Sequence, residues 1–276
     1  MATPTTEIQD HFPLDSVARC LEGFETPEAP FDPNGDWEQA YGIYSLGRGC
    51  LRVGGLHIRR HKAGRKRAVV RLDCARDLPG NCRQKVTAEI ECRADPLATP
   101  TAWTFTSQIQ DDSGQPIEHT PLAKSATGKK REIVIADDTQ SRRIPVAAPY
   151  TLNWALFDAV QRLPREAFDP IQFTMLDHFD QVKPNQTLSY RKSAEVMLGR
   201  KRVQQHHYEQ LEKGRIRKTT WALDGGRPAR LHAYDHLGDG VLPWVYWVDD
   251  AGRLLFAVGG IEAYLLDRRE EDGHGS

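Results

Sequence analysis

Ala68-Val-Val-Arg-Leu-Asp-Cys74 and Lys85-Val-Thr-Ala-Glu-Ile-Glu-Cys92, joined through Asp77-Leu-Pro-Gly-Asn81, decide the fold. Val70, Leu72 and Cys74 alternate with Val69, Arg71 and Asp73. Val86, Ala88, Ile90 and Cys92 alternate with Lys85, Thr87, Glu89 and Glu91. A period of two puts one set of side chains on each face of a strand, so these are antiparallel strands with one dry and one wet face. Pro, Gly and Asn supply the turn between them.

The same grammar recurs outward from this pair. Trp103–Gln110, Arg131–Ala136, Trp221–Leu223 and Trp244–Val248 each run into an Asp-led turn, at Asp111, Asp137, Asp224 and Asp249. Each turn is followed by a second strand-like run, Gln115–His119, Arg142–Val146, Arg227–Ala233 and Arg253–Val258. That predicts four hairpins, because Asp and Gly accept the left-handed backbone of tight turns. The turns lie 26 residues apart in the first pair and 25 in the second, and Pro30-Phe-Asp-Pro33 is echoed by Ala167-Phe-Asp-Pro170. These echoes suggest an internal duplication with halves at 41–149 and 150–267. One segment departs from the period: Leu152, Leu156, Ala159, Val160 and Leu163 have helical spacing and Pro164 stops the run, predicting a central helix at 151–163. The expected architecture is therefore mainly β: a large curved antiparallel sheet or half-barrel around one central helix. Residues 1–40, rich in Pro and acid, are expected to be irregular with a short helix through Phe12, Leu14, Val17 and Phe24. Residues 41–267 form the β domain, and 268–276 a polar tail.

The chain has 276 residues, 37 Lys+Arg against 38 Asp+Glu, a net charge of −1, 39% hydrophobic and 27% charged residues. This describes a globular protein with enough length for a large core. The charge balance lacks the basic excess of a dedicated nucleic-acid binder. Apolar runs such as Val241–Val248 and Leu254–Ile261 reach eight residues, too short to span a membrane as helices, so no transmembrane segment is expected. Met1–Glu7 has no basic n-region or apolar h-region. Two readings follow: a cytoplasmic protein, or an exported one whose leader was replaced by a start Met. Of the five cysteines, Cys20, Cys50, Cys74, Cys82 and Cys92, none has zinc-site spacing. A Cys74–Cys82 disulfide across the turn is geometrically possible, and five free thiols are the alternative. Neither a metal nor a cofactor is expected.

Residues 150–267 resemble a bacterial exported family of unknown function whose fold is like that of the periplasmic lipoprotein carriers. The motifs are Leu152-Asn-Trp-Ala-Leu-Phe157 with Arg162-Leu-Pro164, the strand end Gly199-Arg-Lys-Arg-Val203, and the closing hairpin Trp247–Leu255. The resemblance implies a half-barrel wrapped around a helix, an apolar concave face able to hold a lipid-like or other amphipathic ligand, and a periplasmic or secreted location. It implies no catalytic residue.

Candidate chemistry centres on His, Tyr and Trp. Asp177-His178-Phe-Asp180 and Asp235-His236-Leu-Gly-Asp239 place a His between carboxylates, which orient an imidazole and raise its basicity. Neighbouring Asp and His point to opposite faces of a strand, so the partner would be Asp180 or Asp239. Tyr190-Arg191 with His206-His207 gives the ingredients of a uronate lyase: a cation for the carboxylate and a base for the α-proton. Ordinary strand and turn chemistry accounts for the same residues. His57 and His61 share a strand face about 13 Å apart, within a basic hairpin tip. The tryptophans offer stacking surfaces: Trp221, Trp244, Tyr246 and Trp247 are the candidate ligand-binding residues, with Trp244 and Tyr246 on one face and Trp247 on the other. The sequence lacks nucleophile-elbow, phosphate-loop and metalloprotease motifs. The leading reading is an exported or soluble binding protein with an apolar-aromatic cavity for a lipid-like or glycan ligand. The alternatives are a carbohydrate-active lyase or hydrolase using His178, Tyr190, His206, His207 and His236, and a protein-interaction module without a cavity. The oligomeric state is left open.

Overall fold

A computed structural model describes residues 20–21, 24–117, 122–129, 131–137, 139–178, 181–199, 201–211 and 214–267, with backbone only for 129, 201–211 and 214–224. The strands are β1 (Trp37–Ser45), β2 (Leu51–Lys62), β3 (Arg67–Leu78), β4 (Cys82–Arg93), β5 (Pro100–Gln110), β6 (Leu122–Lys129), β7 (Glu132–Ala136), β8 (Ser141–Pro145), β9 (Tyr150–Leu152), β10 (Ile171–Asp177), β11 (Gln181–Leu198), β12 (Lys201–Leu211), β13 (Gly214–Asp224), β14 (Arg227–Gly238), β15 (Trp244–Asp249), β16 (Leu254–Gly259) and β17 (Glu262–Leu266). Fifteen of them form one sheet in the order β8-β7-β6-β5-β4-β3-β2-β1-β17-β16-β15-β14-β11-β10-β9, while β12 and β13 pair separately. Every described pairing is antiparallel except β9 with β10.

The alternation of the deciding hairpin is preserved. In β3 and β4, Val70, Leu72, Ala88 and Ile90 are buried, while Arg71, Asp73, Glu89 and Glu91 are exposed. On that outer face Arg71 pairs with Glu89 and Arg59 with Asp73, cross-strand pairs worth little individually in water. The closing strands differ. In β16 all six residues are buried, because Leu254–Val258 is apolar at every position and both faces are covered. Trp247 stacks on Phe256, centroids 5.7 Å apart, on the face away from the helix.

The sheet curls until its β9 edge returns to its own fifth and sixth strands without closing into a barrel. Tyr150 Oη donates to the carbonyl of Pro100 at 3.1 Å and Thr151 Oγ1 to that of Leu97 at 2.6 Å. A Cβ on Gly128 of β6 would strike the Tyr150 phenol, so the close approach needs glycine.

The concave face holds the helix, which is shorter than the 151–163 expected. Residues Tyr150–Leu152 pair with Thr174–Leu176 as β9, so α1 spans only Leu156–Ala159 before a 3₁₀ turn at Val160–Arg162. The apolar spacing of Leu152 serves a strand end here, since sheet pairing overrides the helical period. Phe157 on α1 is the hub of the core, edge-on to Tyr41, Tyr246 and Tyr264 at 5.5–6.0 Å.

One hairpin expectation is corrected. The turn at Asp224 does not join a hairpin: β13 pairs back onto β12, from Lys201 opposite Asp224 to Leu211 opposite Gly214. The reason is the length of β11, whose 18 residues pair with β14 down to Leu198 opposite Arg227. The intervening chain is thereby left as a separate ribbon. The hairpin at Asp111 forms: the Asp111 N–H donates to the Gln115 carbonyl and the Ile117 N–H to that of Ile109, Gln110 bridges to Pro116, and β5 pairs with β6 from Ser107 opposite Leu122; residues 118–121 lie outside the described residues. The hairpins at Asp137 and Asp249 form as expected, with the aspartate Oδ1 accepting from Thr139 and Gln140 N–H, and from Arg253 N–H.

The Cys74–Cys82 crosslink that the spacing allowed does not form. Cys74 lies opposite Val86 in the register, while Cys82 pairs with Leu78, and both thiols are free. The disulfide is Cys20–Cys50, with a Cα separation of 5.4 Å. It ties the N-terminal segment to the β1–β2 connection. Farther along that segment, Arg253 donates to the carbonyls of Pro27 (2.9 Å) and Ala29 (2.6 Å) and lies over the Phe31 ring.

Candidate functional site

The turns β1–β2, β14–β15 and β16–β17 gather at one end of the half-barrel, above the start of α1. Between them and the concave face lies a cavity of about 410 Å³, within the size range of small-molecule sites. Six aromatic rings wall it: Phe105, Trp154, Phe157, Trp244, Tyr246 and Tyr264. Trp244 lies nearly parallel to Tyr246, at 6.0 Å and 18°, and tilted against Tyr264 at 5.6 Å. The register explains this placement: Trp244 sits opposite Gly259 and Tyr246 opposite Ala257, whose small side chains leave room for the rings. A Cβ at Gly259 would overlap the Trp244 indole.

His236 contributes a polar group to this wall. It is 1% exposed and packs against Phe173, ring centroids 5.4 Å apart and tilted by 36°. Gln186 of β11 fixes its tautomer. The Gln186 amide nitrogen donates to the carbonyls of Pro184 (2.6 Å) and Asp239 (3.1 Å), so its oxygen faces His236 Nε2, 3.0 Å away. Nε2 therefore carries the hydrogen and Nδ1 is a bare acceptor. Nδ1 is buried with no partner. Burial pushes the imidazole pKa down to about 4, because a charged ring would lose its hydration. The two phenols of the wall, Tyr246 and Tyr264, are held above their ordinary range by the same desolvation.

The rim is polar on one side and apolar on the other. Arg76 pairs with Glu262, and Glu262 also accepts from Tyr264 Oη. Asp177 accepts from Asn153 Nδ2 at 3.2 Å and from the His178 amide at 3.0 Å. Leu242 and Ile261, 64% and 67% exposed, complete the mouth. Cys74 also borders the space, its thiol pushed up to about 11 by burial.

Of the residues singled out from sequence, His178, His236, Trp244 and Tyr246 are brought together at this cavity. His178 stands at the rim with its ring exposed. Asp239, proposed to orient His236, accepts from Asn185 instead; Asp180 lies outside the described residues. Tyr190 is elsewhere on the concave face, its hydroxyl 3.3 Å from His232 Nδ1, and His232 Nε2 meets Asp250 at 2.9 Å. Its neighbour Arg191 pairs with Asp235. Trp247 lies on the opposite face against Phe256. The backbones of His206 and His207 lie on β12 and that of Trp221 on β13, outside the fifteen-stranded sheet, and their side chains lie outside the described residues. His57 and His61 separate into pairs with Glu38 and Asp36. Sequence reading missed Tyr264 and Gln186, and it counted Trp154 among the stacking tryptophans without singling it out. Tyr264 could have been found from the alternation of β17, but Gln186 had no signal short of the register. Among the described residues, no group of three or more His, Cys, Asp or Glu could hold a metal, and no helix is long and apolar enough to cross a membrane.

No family model matches the chain, and no curated protein matches it significantly. Among solved structures it is similar to a β-barrel-like protein of a domain of unknown function, DUF1849, from Brucella abortus. The similarity covers 85% of this chain and 96% of that one, with a TM-score of 0.48 and 8% identity. That neighbour is a bacterial β protein of unknown function.

Proposed function

We propose that the chain is an exported binding protein that holds one small amphipathic molecule in the cavity of its half-barrel. The observation that carries this reading is the ring of six aromatic side chains around a space of about 410 Å³. Aromatic faces supply large apolar contact with little flexibility to lose. Leu242 and Ile261 extend the apolar surface to the mouth, and the Arg76–Glu262 pair and Asp177 give a polar end group somewhere to rest. The titrating groups favour holding over proton transfer: an imidazole with a pKa of about 4 is a weak base at neutral pH, and buried phenols are poor acids. The Cys20–Cys50 disulfide supports an oxidising compartment, in line with export.

The test is saturable binding of N-phenyl-1-naphthylamine, read by its fluorescence, alongside mass spectrometry of small molecules released from the purified protein. One site per chain is expected, with affinity falling at least tenfold in Trp154→Ala, as for truncation of a ring at the centre of a contact. Absence of saturable binding, or binding indifferent to Trp154→Ala, defeats the proposal.

A further inference from the structure

The inference rests on the binding reading above and concerns the chemistry of the molecule bound. His236 is the one cavity-wall group among the described residues that is buried with an unpartnered acceptor. Its hydrogen is committed: Gln186 Oε1 takes Nε2–H, and Gln186 cannot turn over because its amide nitrogen is held by two carbonyls. Phe173 packs against the ring at a tilt. A buried acceptor without a donor is destabilising, because it has given up its hydration with nothing in return. Nδ1 has essentially no accessible surface. The adjoining wall is the half-buried indole of Trp244, directly across the β14–β15 pair from His236. Its ring contacts are with Tyr246 and Tyr264, and a guest would have to shift a wall side chain to meet the buried acceptor.

We infer that the molecule bound in this cavity presents a hydroxyl or N–H donor to Nδ1 of His236, so that the site selects ring-bearing apolar molecules carrying a donor over the same molecules with the donor capped. A site built to receive a donor discriminates against an analogue lacking it, since the acceptor is then left bare.

Three probes share one ring system: 2-naphthol, 2-methoxynaphthalene and naphthalene, titrated against the whole protein with tryptophan fluorescence and calorimetry. The expected result is that 2-naphthol binds at least tenfold tighter than 2-methoxynaphthalene, and that the ratio falls to about one in His236→Phe, which keeps a ring against Phe173. The wild-type chain supplies a second readout if that variant does not fold. With ¹⁵N-labelled histidine rings, the pyridine-type nitrogen of one buried neutral His moves upfield with 2-naphthol and stays in place with 2-methoxynaphthalene. Equal binding of the capped and uncapped probes, a preference that survives in His236→Phe, or a static ¹⁵N resonance overturns the donor assignment while leaving the cavity reading intact. If none of the three probes binds, the cavity reading falls and the donor assignment with it.

Discussion

The two ends of the half-barrel bury polar groups in opposite ways. Below α1, Asp158 is ion-paired with two arginines: Arg162 Nη2 donates to one carboxylate oxygen at 2.9 Å, and Arg60 Nε stands 2.9 Å from the other without hydrogen-bond geometry. All three side chains are nearly inaccessible. The guanidiniums reach onward to loop carbonyls, Arg60 to Asn34 and Gly35 and Arg162 to Asp95. Burial pushes the Asp158 carboxyl above its ordinary value and the two guanidiniums oppose it, so the charges hold each other in place. Beside them Gln161 accepts from Gln39 and from the Leu254 amide. Above α1 the buried polar group is His236, and nothing in the described protein answers its Nδ1. One end spends its polar groups on closing the barrel; the other leaves an acceptor beside an aromatic space. On the proposed reading the first end serves the fold, its buried charges neutralising one another, and the second serves the ligand.

The strongest way to break this comparison is to remove the hinge of the closed end. Asp158→Ala leaves Arg60 and Arg162 buried without a counter-charge, and the expected loss is about 3–5 kcal/mol, a large part of the 5–15 kcal/mol typical of a whole domain. The urea midpoint reads it. In protein that remains folded, naphthyl-probe affinity should be unaltered; a selective loss of binding with stability intact would reverse the assignment of the two ends.

Next in size is a pH effect belonging to His236. Its ordinary value is 6.5 and its folded value about 4. As pH falls below 6.5 the unfolded chain takes up a proton at this ring and the folded chain does not, so stability declines between pH 6.5 and 4. At 1.36 kcal/mol per pKa unit the full decline is about 3 kcal/mol. Carboxylates contribute in the same range, so the measurement is the difference between wild type and His236→Phe in urea midpoints at pH 7.5 and 4.5. The variant should lose distinctly less on acidification. Parallel curves would show that His236 is protonated as easily folded as unfolded, removing the bare acceptor from the account.

The sequence carried the strands well because period two survives wherever one face meets water: β3, β4 and the Asp137 hairpin lie where the alternation puts them. It carried the helix poorly. Leu152 fits a helical stripe and a strand end equally, and only the pairing of Tyr150–Leu152 with Thr174–Leu176 decides between them. The ribbon of β12 and β13 was hidden for a similar reason: Asp224-Gly-Gly226 has turn chemistry, but which strand pairs with which depends on how far β11 extends. Trp244 and Tyr246 were placed on one face by parity alone, and that face proved to be the cavity wall. Gln186 and the unpaired nitrogen of His236 were out of reach. Both depend on contacts between β11 and β14, about fifty residues apart, which no local pattern encodes.

A smaller effect comes from the glycine that makes room for the indole. In Gly259→Ala the new methyl overlaps Trp244, so the ring has to move toward the cavity. Overpacking of this kind costs about 1–3 kcal/mol. Because the displaced ring enters the binding space, naphthyl-probe affinity should fall by more than in a rim substitution of equal stability cost. A variant that loses stability while binding normally would place Trp244 outside the ligand's volume.

The smallest change in stability, and the sharpest separation of the two ends, is expected at the mouth. Leu242 and Ile261 are 64% and 67% exposed, so Leu242→Ser with Ile261→Ser removes almost no buried surface, and each change should stay within about 0.5 kcal/mol of wild type. If these side chains serve only the fold, binding should be equally untouched. If they are the outer part of the apolar path to Trp244 and Tyr246, capture of N-phenyl-1-naphthylamine should slow, with a lower association rate in stopped-flow fluorescence at an unchanged urea midpoint. A matched pair at the closed end cannot produce that pattern, because its groups are locked to one another and any change there registers first as lost stability. A double variant that binds at the wild-type rate would mean that the ligand enters elsewhere, and the mouth would then need to be sought along the open edge between β9 and β5.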